Sequence, residues 1–210
     1  MGADHDHAVT FDGLNDDYKR RLITVTVINI GMFFVEMIAG QISGSQALKA
    51  DALDFFADGV TYALSFWAIG KPLEVRAGAA FLKGLSLLGM GLWVAGSTLY
   101  QLLVFGVPAA EVMSVIGILA LVANLASVWL LMAYKDGDAN VRSVWLCSRN
   151  DAIGNVAVVV AAGFVALLNN GIPDLVVAGV MAALFLNSSA QILHQSWQEW
   201  RHAKAHPGHH

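Results

Sequence analysis

The chain has 210 residues, 57% of them hydrophobic and only 13% charged, with twelve basic and sixteen acidic residues for a net charge of −4. A mean hydropathy of +0.60 excludes an ordinary water-soluble domain, in which roughly a quarter of residues carry charge, and the lack of a basic patch excludes nucleic acid as a partner. The single cysteine, Cys147, excludes an internal disulfide framework and a Cys-only metal cluster.

Residues 1–20, MGADHDHAVTFDGLNDDYKR, are polar and acidic and hold no basic segment ahead of a cleavage site. No cleaved signal is expected, and they read as a cytoplasmic tail. Six apolar segments follow at 22–41, 47–70, 77–105, 112–134, 141–168 and 175–193. Each is near the ~20 residues a helix needs to cross a bilayer. Short links separate them, among them KPLEVR at 71–76, GVPAAE at 106–111 and NNGIPD at 169–174, with no internal repeat. The expected fold is all-α: one polytopic membrane domain of six transmembrane helices over 21–194, with a short His-containing tail at 195–210.

Basic residues orient it. Lys19, Arg20 and Arg21, Lys71 and Arg76, Lys135 and Arg142, and Arg201 and Lys204 fall at alternate crossings, and the links at 42–46, 106–111 and 169–174 hold none. Positive charge gathers on the cytoplasmic side, so both termini are expected in the cytoplasm.

On the first span, Asn29 and Glu36 share a face at i,i+7. Asn29 suits a structural hydrogen bond and Glu36 the handling of a proton. The second span carries ADALDFFADG, with Asp51, Asp54 and Asp58 inside eight residues. At ~100° per residue they fall within an arc of ~60°, on a single face. An aspartate near a helix centre costs ~2.5–3.5 kcal/mol on insertion scales. Such groups usually face a bundle interior and mark an ion pathway. Neutralisation by Lys49 or Lys83 is the competing reading. Asp54 and Asp58, at i,i+4, can converge on one cation, whereas Asp51 lies a turn further out and suits a proton relay or a solvated helix end.

On the third span Gly84, Gly89, Gly91 and Gly96 form a small-residue surface suited to close helix contact, a possible face for a homodimer. The fourth has no charged residue over 112–134. The fifth offers CSRNDAIGN, in which Cys147 and Asp151 repeat the i,i+4 spacing. Since the second and fifth spans run in opposite directions, Asp54 should lie level with Asp151 and Asp58 with Cys147. Four donors of this kind suffice for zinc. Asn155 continues the same face and could hydrogen-bond behind the ligands, while Arg149 points elsewhere and suits the interface. On the sixth, Pro173–Asp174 reads as a helix start with its carboxylate near the positive end of the dipole. The histidines, His5, His7, His194, His202, His206, His209 and His210, fall in the tails.

Taken jointly, SGSQALKADALDFFADGV (43–60) and NVRSVWLCSRNDAIGNVAVVV (140–160), with VEMIAG at 35–40 and VAN at 122–124, resemble the cation diffusion facilitator family of divalent-metal/proton antiporters. The resemblance implies a transport site of Asp54, Asp58, Cys147 and Asp151. Position 147 is cysteine where the family usually has histidine, and position 54 is aspartate where many members have histidine. Thiolate favours zinc and cadmium over manganese or magnesium. Most members continue into a cytoplasmic metal-binding domain that promotes dimerisation. This sequence stops about sixteen residues after the last span and so resembles a short form.

The resulting expectation is export of Zn²⁺, with Cd²⁺ as a second substrate, in exchange for protons across a bacterial inner membrane. No permanent cofactor is expected, and a homodimer is. Two other classes remain: an intramembrane metalloenzyme, which needs an open coordination position, and a membrane metal sensor or assembly subunit that moves nothing.

Overall fold

In a bilayer the backbone must satisfy its own hydrogen bonds, so long apolar runs fold as helices. The computed structural model describes residues 16–68, 73–104, 106–135 and 139–205. Within these, the side chains at 65, 68, 73, 74, 76, 77, 139–147, 199, 200 and 202–205 lie outside the description. The described residues form α1 (Asp16–Ser43), α2 (Gln46–Ala68), α3 (Leu73–Val104), α4 (Ala110–Leu131), α5 (Ala139–Leu168) and α6 (Ile172–Ala205), with a 3-10 turn at Met132–Tyr134 and no strand.

Five of these helices supply stretches long and apolar enough to cross a membrane: Asp16–Ser43, Gly78–Val104, Ala110–Tyr134, Ser148–Leu168 and Ile172–Gln198. The sixth expected span differs in kind. α2 has 23 residues, about 35 Å of helix, but Lys49, Asp51, Asp54 and Asp58 make it too charged to count as apolar. Its neighbours enclose it, since α1, α3, α5 and α6 all pack against it. A charged helix is tolerable at membrane depth when protein rather than lipid surrounds it. Helix also runs past the apolar segments: α6 continues through Ala205, so His194 sits in a helix, beside Gln198 at 2.8 Å.

Close approach sets the packing. A Cβ on Gly40 would fall 2.8 Å from Lys49 Cγ, and one on Gly59 2.6 Å from Ile30 Cδ1, so glycine lets α1 lie against α2. Gly84 and Gly91 do the same for α3 on α6, where a Cβ would meet Leu193 at 2.9 Å and Leu186 at 3.0 Å. That half of the glycine surface is therefore used within the chain, while Gly89 and Gly96 meet nothing within 4 Å.

The bundle has two unlike ends. At the near end, where α1 begins, Tyr18, Leu22, Val25, Tyr62 and Leu131 form one buried cluster. There Arg21 pairs with Asp17 at 3.0 Å and donates to the Leu130 carbonyl at 3.0 Å, and the Tyr134 hydroxyl donates to Asp17 at 2.6 Å. At the far end Ala39, Ala47, Leu48, Met113, Val158, Ala162 and Val165 close into an apolar layer drawn from α1, α2, α4 and α5. Above it, Gly44 takes a left-handed φ of +75°, which glycine adopts without strain and which turns α1 into α2 within two residues.

Asp174 fastens that turn. Its carboxylate accepts from the Ser45 hydroxyl at 2.5 Å, the Gln46 N–H at 2.8 Å and the Ala47 N–H at 3.0 Å. The Ser45 hydroxyl oxygen in turn accepts from the Leu48 N–H at 3.0 Å. The first-turn donors of a helix need such acceptors. Asp174 is thus a cap, as its Pro-Asp setting suggests, but its carboxylate caps α2 from α6 as well as lying in the first turn of its own helix.

Candidate metal site

Asp54 and Asp58 on α2, Asp151 on α5 and Lys83 on α3 line one cavity of about 290 Å³, walled on its α3 and α6 side by Leu87, Met181, Leu184 and Phe185. Thr61, Lys83, Asn150 and Ile192 also line it. All four stand toward the near end of their helices, so the cavity extends from the aspartates toward that end. On the other side its walls Ala57, Leu87, Met181 and Phe185 continue into one buried apolar cluster with Ala50, Val94, Ala178 and Ala182.

The i,i+4 pair on α2 and the aspartate of α5 are therefore brought together as the antiparallel register requires. Asp151 lies within hydrogen-bonding reach of both Asp54 and Asp58. Contact between two carboxyls needs a proton or a cation between the oxygens, so the group is built to share positive charge. The Tyr62 hydroxyl, one turn beyond Asp58, donates to the Asp58 carboxylate and stands 3.3 Å from the Ser148 hydroxyl. No three side chains of His, Cys, Asp or Glu among the described residues form a ready-made metal centre. The fourth expected ligand, Cys147, stands in α5, but its side chain lies outside the described residues.

The other residues singled out from the sequence separate into groups. Glu36 and Asp51 are buried, at 0% and 2% exposure, and within hydrogen-bonding reach of each other. Both Glu36 oxygens and Asp51 Oδ2 lack a donor among the described residues. Asn155 is fully buried, and neither of its amide atoms has a partner among the described residues. None of the three lines the cavity. Asn29 donates to the Val25 carbonyl at 2.8 Å, the structural hydrogen bond its setting suggested. Arg149 is exposed and donates to Asn150 at 3.2 Å. Phe55 and Ala52, between the α2 aspartates in sequence, are buried by packing.

Sequence reasoning missed Tyr62 and Ser148. Tyr62 repeats the i,i+4 step from Asp58, a usable signal, whereas Ser148 carries none. Of the two lysines considered as neutralising partners, Lys83 reaches the cavity, while Lys49 lies by Gly40 and close enough to Asp174 to act on it electrostatically.

Compared with known proteins, residues 22–199 match the model of the cation efflux transmembrane domain. The chain belongs to that family, the cation diffusion facilitators. It is accordingly a multi-pass membrane protein. Among its curated relatives, the zinc transporter ZitB of Escherichia coli is 25% identical over 209 residues, covering 93% of this chain and 67% of that protein. ZitB of Pectobacterium atrosepticum is 29% identical over 213 residues, covering 93% and 64%. The cadmium, cobalt and zinc/H(+)-K(+) antiporter of Bacillus subtilis is 24% identical over 202 residues, covering 88% and 63%. This facilitator thus spans about two thirds of the length of the curated relatives it matches.

Proposed function

We propose that the chain exports a divalent transition-metal cation, Zn²⁺ foremost and Cd²⁺ as a second substrate, in exchange for protons. The observation that carries this reading is the cavity that gathers Asp54, Asp58 and Asp151, with lining that extends toward the near end of the bundle and apolar packing on its far side. Asp54, Asp58, Asp151 and Cys147 are the ligands in this reading. Three carboxylates and a thiol hold metal only when largely deprotonated, so metal and protons compete for the same atoms. That competition is the chemistry an antiporter needs.

All six helices span the membrane in this proposal, including charged α2, and both termini are cytoplasmic. The cavity then faces the cytoplasm, where Zn²⁺ displaces protons from the carboxyls. Rocking of the helices would part the packing around Ala50, Val94 and Ala178 and close the near end, the usual route to alternating access. Protons arriving from outside release the metal and return with the site. Glu36 and Asp51, carboxyls in reach of each other and short of donors, are the proton-handling accessories, with Asn155 as a hydrogen-bonding support. Two thirds of a relative's length is shared, and bacterial relatives with transporter names favour an inner-membrane transporter over an enzyme or a silent sensor. A homodimer belongs to the same proposal, with the open Gly89–Gly96 face of α3 as its contact.

The test is Zn²⁺ uptake into proteoliposomes carrying metal and pH dyes. Metal flux coupled to opposing proton flux, lost in Asp151→Ala, is expected. Metal flux with no proton movement would remove the exchange step.

A further inference from the structure

Lys83 stands where a metal site has no evident use for a cation. It lines the same cavity as Asp54, Asp58 and Asp151, and its ammonium acts electrostatically on both Asp54 and Asp58. Yet among the described residues no ion pair within 4.0 Å fastens it to any of them. Its backbone is held firmly, because the Ser189 hydroxyl of α6 donates to the neighbouring Gly84 carbonyl at 2.8 Å and Gly84 packs on Leu193. A fixed backbone with an unfastened, four-carbon stem is a charge that can approach and withdraw. The α6 residues lining this cavity, Met181, Leu184, Phe185, Ser188 and Ile192, carry no charge, so the three aspartates are the groups its ammonium answers.

We propose that Lys83 is a tethered competing cation: from the cavity wall its ammonium offsets the charge of Asp54 and Asp58 when the metal has left, and repels the metal when the cavity is loaded. This rests on the reading that the cavity is the transport site. A divalent ion entering beside a fixed positive charge is held less tightly than the ligands alone would hold it, which speeds release. The departing ion leaves carboxylates that the ammonium can satisfy without waiting for solvent. A lysine that merely extends along the helix to the interface would do neither.

The experiment is calorimetric titration of Zn²⁺ into the purified full chain in detergent, for wild type and for Lys83→Arg, Lys83→Gln and Lys83→Glu. The heat removed by Asp58→Ala is taken as that of the cavity. Affinity should follow charge and not size: Lys83→Arg like wild type, Lys83→Gln on the order of ten-fold tighter, and Lys83→Glu tighter again by a similar factor. In transport, Lys83→Gln should lower both KM and the maximal rate, and Lys83→Arg should restore both. A flat series, or weaker binding in Lys83→Gln, overturns the role of Lys83 while leaving the cavity as the site. Heat untouched by Asp58→Ala overturns the cavity itself.

Discussion

Asp174, which caps the start of α2, and the aspartates of the cavity are the same residue type in two buried settings, and they are bonded in opposite ways. Asp174, 1% exposed, takes three donors at 2.5–3.0 Å from the Ser45–Ala47 turn. A carboxylate so satisfied is stable as a charge and has nothing left to offer a ligand. Asp54 and Asp58 have the Asp151 carboxyl beside them, with the Tyr62 hydroxyl on Asp58 and the Lys83 ammonium farther off. Carboxyls in contact with one another must share protons or cations. The kind of partner around an acid, backbone donors or other carboxyls, therefore separates fastening from exchange around α2.

Breaking the comparison at its exchanging end should have the largest effect. Asp58→Ala or Asp151→Ala should reduce Zn²⁺ transport by at least ~100-fold, to background, while circular dichroism and the unfolding midpoint change little. Asp58→Ala gives up only the Tyr62 hydrogen bond besides the ligand, far less than the three donors that Asp174 holds. At the fastening end the pattern reverses. Asp174→Ala strands two backbone N–H groups and a hydroxyl, a loss of about 1–3 kcal/mol. The unfolding midpoint should drop by several degrees, with the KM for Zn²⁺ almost unmoved. An Asp174→Ala protein of normal stability would remove the fastening role.

Lowering the pH sharpens the same contrast more gently. Because protons and metal share the cavity oxygens, Zn²⁺ affinity should fall as pH falls and recover as it rises. A pH-independent affinity would put the metal elsewhere. The smallest effect is expected for Tyr62→Phe, which deletes one donor to Asp58. A few-fold change in KM, read in the same vesicle assay, is the expected outcome.

Much of this contrast was legible in the sequence, but unevenly. The helices were readable because hydropathy and length are local properties, and the acidic face of α2 because three aspartates repeat at helical spacing. The level match of Asp54 with Asp151 followed from antiparallel direction and a fixed rise per residue. The partner of Asp174 was not readable. Pro173 points to a local helix start, whereas the donors lie 127 to 129 positions away, and no local pattern encodes a pairing across the bundle. The division of the α3 glycines, Gly84 and Gly91 against α6 and the other two open, was hidden for the same reason. Lys83 was visible as a charge in an apolar run, but which wall it lines depends on the rotation of α3 about its axis. α2 was read as one of six apolar spans, but its charges set it apart from the five apolar helices, and the neighbours that shelter them are supplied only by the fold.

The most direct test is X-ray absorption at the zinc edge on protein loaded with one Zn²⁺ per chain. The account predicts one sulfur neighbour at about 2.3 Å with the remaining neighbours oxygen at about 2.0–2.2 Å, the sulfur disappearing in Cys147→Ser. A wild-type spectrum with no sulfur and with imidazole scattering would place the metal on histidines and contradict the account.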